Sequence, residues 1–242
     1  MSGHSKWHQI RFKKGIADQK RGKVFTKHAR LIESAARQGG EPDMNPGLRM
    51  AIDNAKADNL PNDNIDRAIK KGTGELKDTV QMEEVVYEGF GPGKVAFMIE
   101  VYTDNRNRAN QAVRTLFMKN GGNFGSTGAV SFMFDRKGEI VVASRGDVDE
   151  DELEIIDAGA EDVQPTETGF VIYTAPTELG AVRDRLIAKG FNVKEMQLTF
   201  VPNVMADIAE PEKGEKVLAL LELLEDEDEV TNVCMNANFL YE

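Results

Sequence analysis

The chain has 242 residues, 40% hydrophobic and 29% charged, with a formal net charge of −11. That apolar content suffices for real cores and argues against wholesale disorder, while the length allows one to three domains. No apolar run approaches the roughly 18 residues that cross a bilayer, and the single cysteine, Cys234, excludes an intrachain disulfide and fits a reducing compartment.

The first elements are basic. From Gly3 to Phe25 the chain carries His4, His8, Trp7, many cations and one acid, Asp18. No apolar h-region follows the positive charge, so it is not a secretory signal. A transit peptide is the better imitation, but Gly3, Gly15 and Gly22 interrupt it and it runs into a patterned helix. The expectation is a mature cytoplasmic protein. Residues 3–17 read as an extended arm. From Asp18 to Gln38 the spacing predicts a helix, with Val24, Phe25, His28, Leu31 and Ile32 on one side and Lys20, Lys23, Lys27, Arg30 and Arg37 on the other. Asn45-Pro46 reads as an N-cap with proline at the first helical position, opening a helix to about Asp58. A third helix starts near Asn62, with Lys70 and Lys71 in its last turn and Gly72 after it. These three make a small bundle.

After residue 78 strands begin. MEEVVYEGF and KVAFMIEVYT flank a Gly91-Pro92-Gly93 turn. Arg108 to Lys119 is a helix, GGNFGSTG a loop and AVSFMF a further strand. From residue 135 the order is β-α-β-β-α-β, the split βαβ or ferredoxin-like plan. The tail adds a short strand near 203–206, the helix KGEKVLALLELLE and a last strand, EVTNVCMNANF. The expected fold is α+β: a three-helix bundle followed by two ferredoxin-like α/β domains, one inserted in the other. The expected domains are 1–78, basic and helical with an N-terminal arm; 79–134 plus 201–242, α/β; and 135–200, the inserted unit.

Charge is divided along this order. Residues 1–37 hold 10 Lys/Arg against 2 Asp/Glu, a net of +8, and residues 78–242 hold 14 against 32, a net of −18. Such asymmetry marks a polyanion-binding module, because each cation laid on a phosphate releases a condensed counterion. The candidate nucleic-acid-binding residues are Lys6, Trp7, Arg11, Lys13, Lys14, Lys20, Arg21, Lys23, Lys27 and Arg30. Few of them suit base readout, so the contacts point to the phosphate backbone. Trp7 suits stacking on a base or sugar and equally an anchor of the arm on the bundle; the residues leave both open.

The remaining motifs carry less. His4 and His8 lack further ligands of metal type, and no metal or other cofactor is expected. The glycine stretches 89–93 and 121–128 precede strands and lack a P-loop lysine, so they read as turns. EDEDE at 225–229 reads as a solvated helix end. No nucleophile–base pair stands out, and the protein is not expected to be an enzyme.

GHSKW (3–7), KRGKVFTK (20–27), NPGLRMAIDNAKADNLP (45–61), IDRAIKKGTGE (65–75), YEGFGPG (87–93), TDNRNRANQAVR (103–114), GGNFGSTGAVSFMF (121–134) and DEVTNVCMNANF (228–239) together resemble the YebC/PmpR family, whose mitochondrial relatives are translational activators of cytochrome oxidase. The likeness spans nearly the whole chain. One mild departure is Asn-Val-Cys-Met in the closing strand, where an aromatic is common after the Val. The resemblance implies a helical bundle, two α/β units and a role tied to nucleic acid. Family members are described both as DNA-binding transcriptional regulators and as factors of the translating ribosome. Three readings follow: a cytoplasmic DNA-binding transcriptional regulator working through its basic end; a ribosome-associated translation factor that meets rRNA or tRNA; and an acidic interaction scaffold whose basic arm docks its own acidic region. A membrane partner or small-molecule substrate is expected in none.

Overall fold

A computed structural model describes residues 18–76 and 82–241, with the backbone alone for residues 18–21. The arm expected over residues 3–17 lies outside them. The bundle follows its sequence pattern. Helix α1 spans Asp18–Ala36, α2 Pro46–Ala57 and α3 Asn62–Gly72. Their apolar stripes meet in a core of Ile32, Ala36, Leu48, Ala55, Ile65 and Ala68. Each fully buried Leu or Ile there contributes about 1.5–3 kcal/mol. Asn45 caps α2 by accepting from the Leu48 N–H at 3.0 Å, and its amide nitrogen donates to the carbonyls of Ala35 and Gly39 at the end of α1, both at 2.8 Å.

Gly72 corrects the sequence reading. It is the last residue of α3, not a cap beyond it. A Cβ there would strike the Glu33 carbonyl and the Ala36 methyl, so glycine permits α1 and α3 to touch. The left-handed residue is Gly74, at φ 78°.

Strands β1 (Glu83–Phe90) and β2 (Ala96–Thr103) form the expected antiparallel pair. Helix α4 runs Arg106–Lys119, capped by Asn105. Two expectations then fail. The loop GGNFGSTG contains a short strand, β3 (Asn123–Phe124), paired with Gly89 and Phe90. AVSFMF forms a 3₁₀ turn at Ser131–Met133 and then enters β4 (Phe134–Ala143). The cause is Glu88, whose buried carboxylate accepts from the N–H groups of Gly128, Val130 and Ser131 at 2.7, 2.7 and 3.0 Å. Donors held by a side chain are lost to a strand ladder.

The next six elements keep the β-α-β-β-α-β order: β4, α5 (Val148–Asp157), β5 (Asp162–Pro165), β6 (Gly169–Thr174), α6 (Leu179–Ala188) and β7 (Val193–Pro202). Their sheet order is β5-β6-β4-β7, and Ile140, Ile155, Phe170 and Leu186 fill the core beneath the two helices. Strand β4 runs through the domain boundary expected at 134/135.

The tail supplies β8 (Ala206–Ile208), α7 (Pro211–Glu225), β9 (Val230–Met235) and β10 (Ala237–Phe239). Strand β9 pairs with β2, so the first sheet has the order β3-β1-β2-β9 and joins chain from both sides of the β4–β7 sheet. Its core is Phe97, Phe117, Leu220, Leu224 and Val233. The expected single last strand breaks at Asn236. The Asn236 side chain accepts from the Ala96 N–H at 2.7 Å and donates to the Val204 carbonyl at 2.9 Å. Beyond it β10 leaves the sheet and pairs in parallel with β8. The four-stranded sheets are bridged by Arg136 of β4 on Glu100 of β2 at 2.7 Å, a carboxylate that also takes its neighbour Asn232 at 2.8 Å, and by Thr199 with Cys234 at 3.2 Å. The architecture is α+β, helices first and α/β layers after.

Candidate nucleic-acid interface

Lys23, Lys27 and Arg30 stand at i, i+4 and i+7 on α1 and so share one stripe. The stripe faces the C-terminal end of α7. Lys23 Nζ donates to the Asp226 carbonyl at 3.1 Å and lies 3.7 Å from the Asp226 carboxylate. Lys27 donates to the Glu225 carbonyl and Arg30 to the Asp228 carbonyl.

Two causes combine here. The last carbonyls of a helix lack partners within it and carry the negative end of its dipole. Helix α7 has no basic residue in its own last turn, so Lys27 and Lys23, about 200 positions away in the chain, supply what it lacks, and Arg30 meets the acidic turn just beyond it. The acid run is therefore less uniform than a solvated turn. Asp226 and Asp228 are exposed, but Glu229 is buried, where it accepts from the Thr103 hydroxyl at 2.9 Å and pairs with Arg108.

The rest of α1 is tied down as well. Glu33 receives Lys71 of α3 at 2.8 Å. His28 Nε2 meets the Asp58 carboxylate at 2.6 Å, and its Nδ1 is buried without a hydrogen-bond partner among the described residues. Ser34 donates to Glu84 and Arg37 to the Met82 carbonyl, both on the first sheet's side. Between bundle and sheets lies a cavity of about 610 Å³ lined by Val24, His28, Met50, Glu84, Arg136 and Gln197 among others.

Of the ten candidate residues, Lys6, Trp7, Arg11, Lys13 and Lys14 lie outside the described residues. Lys20 and Arg21 belong to the opening turns of α1 by their backbone. Lys23, Lys27 and Arg30 come together, and all three face protein. Sequence reading left out the outer side of the bundle, where exposed Lys56, Arg67 and Lys70 make no ion pair with any described residue. Their signal was present in the i, i+3 spacing of Arg67 and Lys70 opposite the apolar Ile65 and Ala68. Among the described residues no three His, Cys, Asp or Glu side chains cluster as a metal site, and no helix is long and apolar enough to cross a membrane.

The architecture recurs in a solved structure. The crystal structure of a conserved hypothetical protein from Aquifex aeolicus superposes with a TM-score of 0.89 at 46% identity, covering 95% of each chain. A "probable transcriptional regulatory protein" of Clostridium novyi is 49% identical over 99% of this chain and 98% of its own. A protein of the same description from Lactiplantibacillus plantarum is 47% identical over 99% of both. The model of the TACO1/YebC N-terminal domain matches residues 5–75 and that of the second and third domains residues 82–237. With both models matched in order and nearly end to end, the chain belongs to the TACO1/YebC family.

Proposed function

We propose that this is a non-enzymatic, cytoplasmic regulator of transcription that binds DNA through its basic N-terminal unit. Its three units are residues 1–78, 79–134 plus 201–242, and the inserted 135–200. The observation that carries the reading is the segregation of charge, +8 over residues 1–37 against −18 over residues 78–242. An acidic remainder repels the same polyanion and confines contact to the basic end. The descriptions of the relatives as probable transcriptional regulatory proteins support it.

A second reading is favoured by the contacts of Lys23, Lys27 and Arg30 with the end of α7. In it the basic helix serves only to hold the acidic region. Binding of labelled duplex DNA and rRNA fragments to a Lys20/Lys23/Lys27/Arg30→Ala variant separates the two. The nucleic-acid reading expects weaker binding; unchanged affinity contradicts it. Co-sedimentation with ribosomes then decides the target, since pelleting that depends on residues 1–17 identifies rRNA or tRNA in place of DNA.

A further inference from the structure

The cationic stripe assigned to nucleic acid is already occupied by the chain's own negative end of a helix. We propose that the α7 terminus and the acidic turn 225–229 are a built-in competitor for that stripe, so that α1 must leave α7 for a polyanion to bind through Lys23, Lys27 and Arg30. The proposal rests on the nucleic-acid reading given above and adds its regulation.

Geometry supports a latch. All three cations of the stripe are engaged at once, and each meets a backbone carbonyl of the segment Glu225–Asp228. Those carbonyls imitate phosphate oxygens as partners: anionic in field, acceptor-only and closely spaced.

The contact is also built to open. The Lys23 and Asp226 side chains are 46% and 45% exposed, and exposed ion pairs contribute little and are screened by salt. A second cavity of about 270 Å³ lies against Lys23, Lys27, Glu225, Asp226 and Thr231, so this seam is not closely packed.

The opposite side of the bundle is held differently. Asn54 of α2 donates to the Met196 carbonyl at 2.6 Å and accepts from the Met196 N–H at 3.2 Å, as a strand neighbour would. Met50 packs on the core beneath β7, and Arg183 lies 3.6 Å from Asp53. The bundle is thus pinned to β7 at α2 and latched to α7 at α1, so the bundle can pivot as a unit about α2, carrying α1 off α7 once the contacts of Ser34 and Arg37 with Glu84 and Met82 also part.

The test uses the full-length chain and two probes, a fluorescein-labelled duplex DNA and a labelled single-stranded RNA of equal length. D226N/E227Q/D228N removes three negative charges at the turn. D149N/E150Q/E152Q removes three from α5, away from the seam, and controls for net charge. The turn variant keeps the carbonyl contacts but removes the Asp226 carboxylate beside Lys23 and two further charges of the turn; it is expected to bind about eight-fold tighter than wild type, three charges at about two-fold each, while the control moves less than about two-fold. Equal gains from both variants overturn the proposal, because net charge alone then explains them. Adding K23A/K27A/R30A to the turn variant should abolish its gain; if it does not, the nucleic-acid reading is wrong, whatever the turn does. Absence of binding by every variant at low salt contradicts both. A second readout follows the motion itself. Dyes at G22C and E227C should separate when a saturating duplex is added, and a distance unchanged under saturation overturns the latch.

Discussion

At Asn45 one side-chain amide closes two helices: its oxygen caps α2, and its nitrogen serves two carbonyls at the end of α1. Asn45→Asp keeps the cap and removes both donations. Because it also turns a carboxylate oxygen on the two carbonyls in a buried site, it should be no more stable than Asn45→Ala, which loses the cap and both donations at about 1 kcal/mol each. Urea unfolding of the two variants checks the order. Cys234 gives a pH-dependent counterpart. Burial, with Glu100 nearby, pushes its thiol up to about 11 from 9.0. Because the folded state holds the proton more tightly, this stability is full below pH 9 and is lost as the pH rises towards 11. Unfolding measured across pH 8–11 should therefore fall more steeply in wild type than in Cys234→Ser. The burial that raises Tyr102 to about 12 leaves a residual slope of the same sign in both. The Asn45 cap was legible in the sequence because Asn-Pro is a local signal. Its second role was not, since the carbonyls of Ala35 and Gly39 become neighbours only after α1 turns back.

The same divide holds for whole elements. Helices with a clear 3.6-residue stripe came out within about two residues of expectation at most ends: α1 at Asp18–Ala36, α2 at Pro46–Ala57. The ferredoxin-like order was legible because each of its strands is a short apolar run between turn signals. AVSFMF is the same kind of short apolar run, yet Val130 and Phe134 are buried while Phe132 between them is exposed, whereas a strand would put all three on one face. Its amides are taken by Glu88, 42 positions away for Val130, and no pattern within the segment records that. The acids Asp149, Glu150 and Asp151 in the first turn of α5 complement the helix dipole, but Asp151 is also buried and accepts from the Ser144 hydroxyl at 2.9 Å and from Arg145 N–H and Nε at 2.7 Å, partners that the segment's own pattern does not record. Gly72 has the look of a helix stop, but what requires glycine there is contact between α1 and α3. Gly72→Ala should destabilise by about 2 kcal/mol, the range for overpacking a closed site, while Gly40→Ala, whose Cβ would meet only the Thr73 and Ile69 side chains, should cost less. Thermal melts of the two variants compare them directly.

On the scale of the molecule, charge order along the sequence was the most informative bulk quantity and also the most ambiguous. It marked the basic end without saying whether an outside polyanion or the chain's own acidic region meets it. Folding brings the stripe of α1 to the end of α7, a pairing about 200 residues apart that no local pattern encodes. Both partners were nonetheless visible separately, one as a cationic stripe and the other as EDEDE. Counterion release measures most directly whether this stripe contributes to nucleic-acid binding. The logarithm of the binding constant for duplex DNA falls with the logarithm of salt concentration by about 0.9 per phosphate neutralised. K23A/K27A/R30A, compared with its parent in the D226N/E227Q/D228N background, should lower that slope by about 2.7, three cations at about 0.9 each. An unchanged slope and an unchanged affinity would mean that the stripe takes no part in nucleic-acid binding and that α1 is a structural strut.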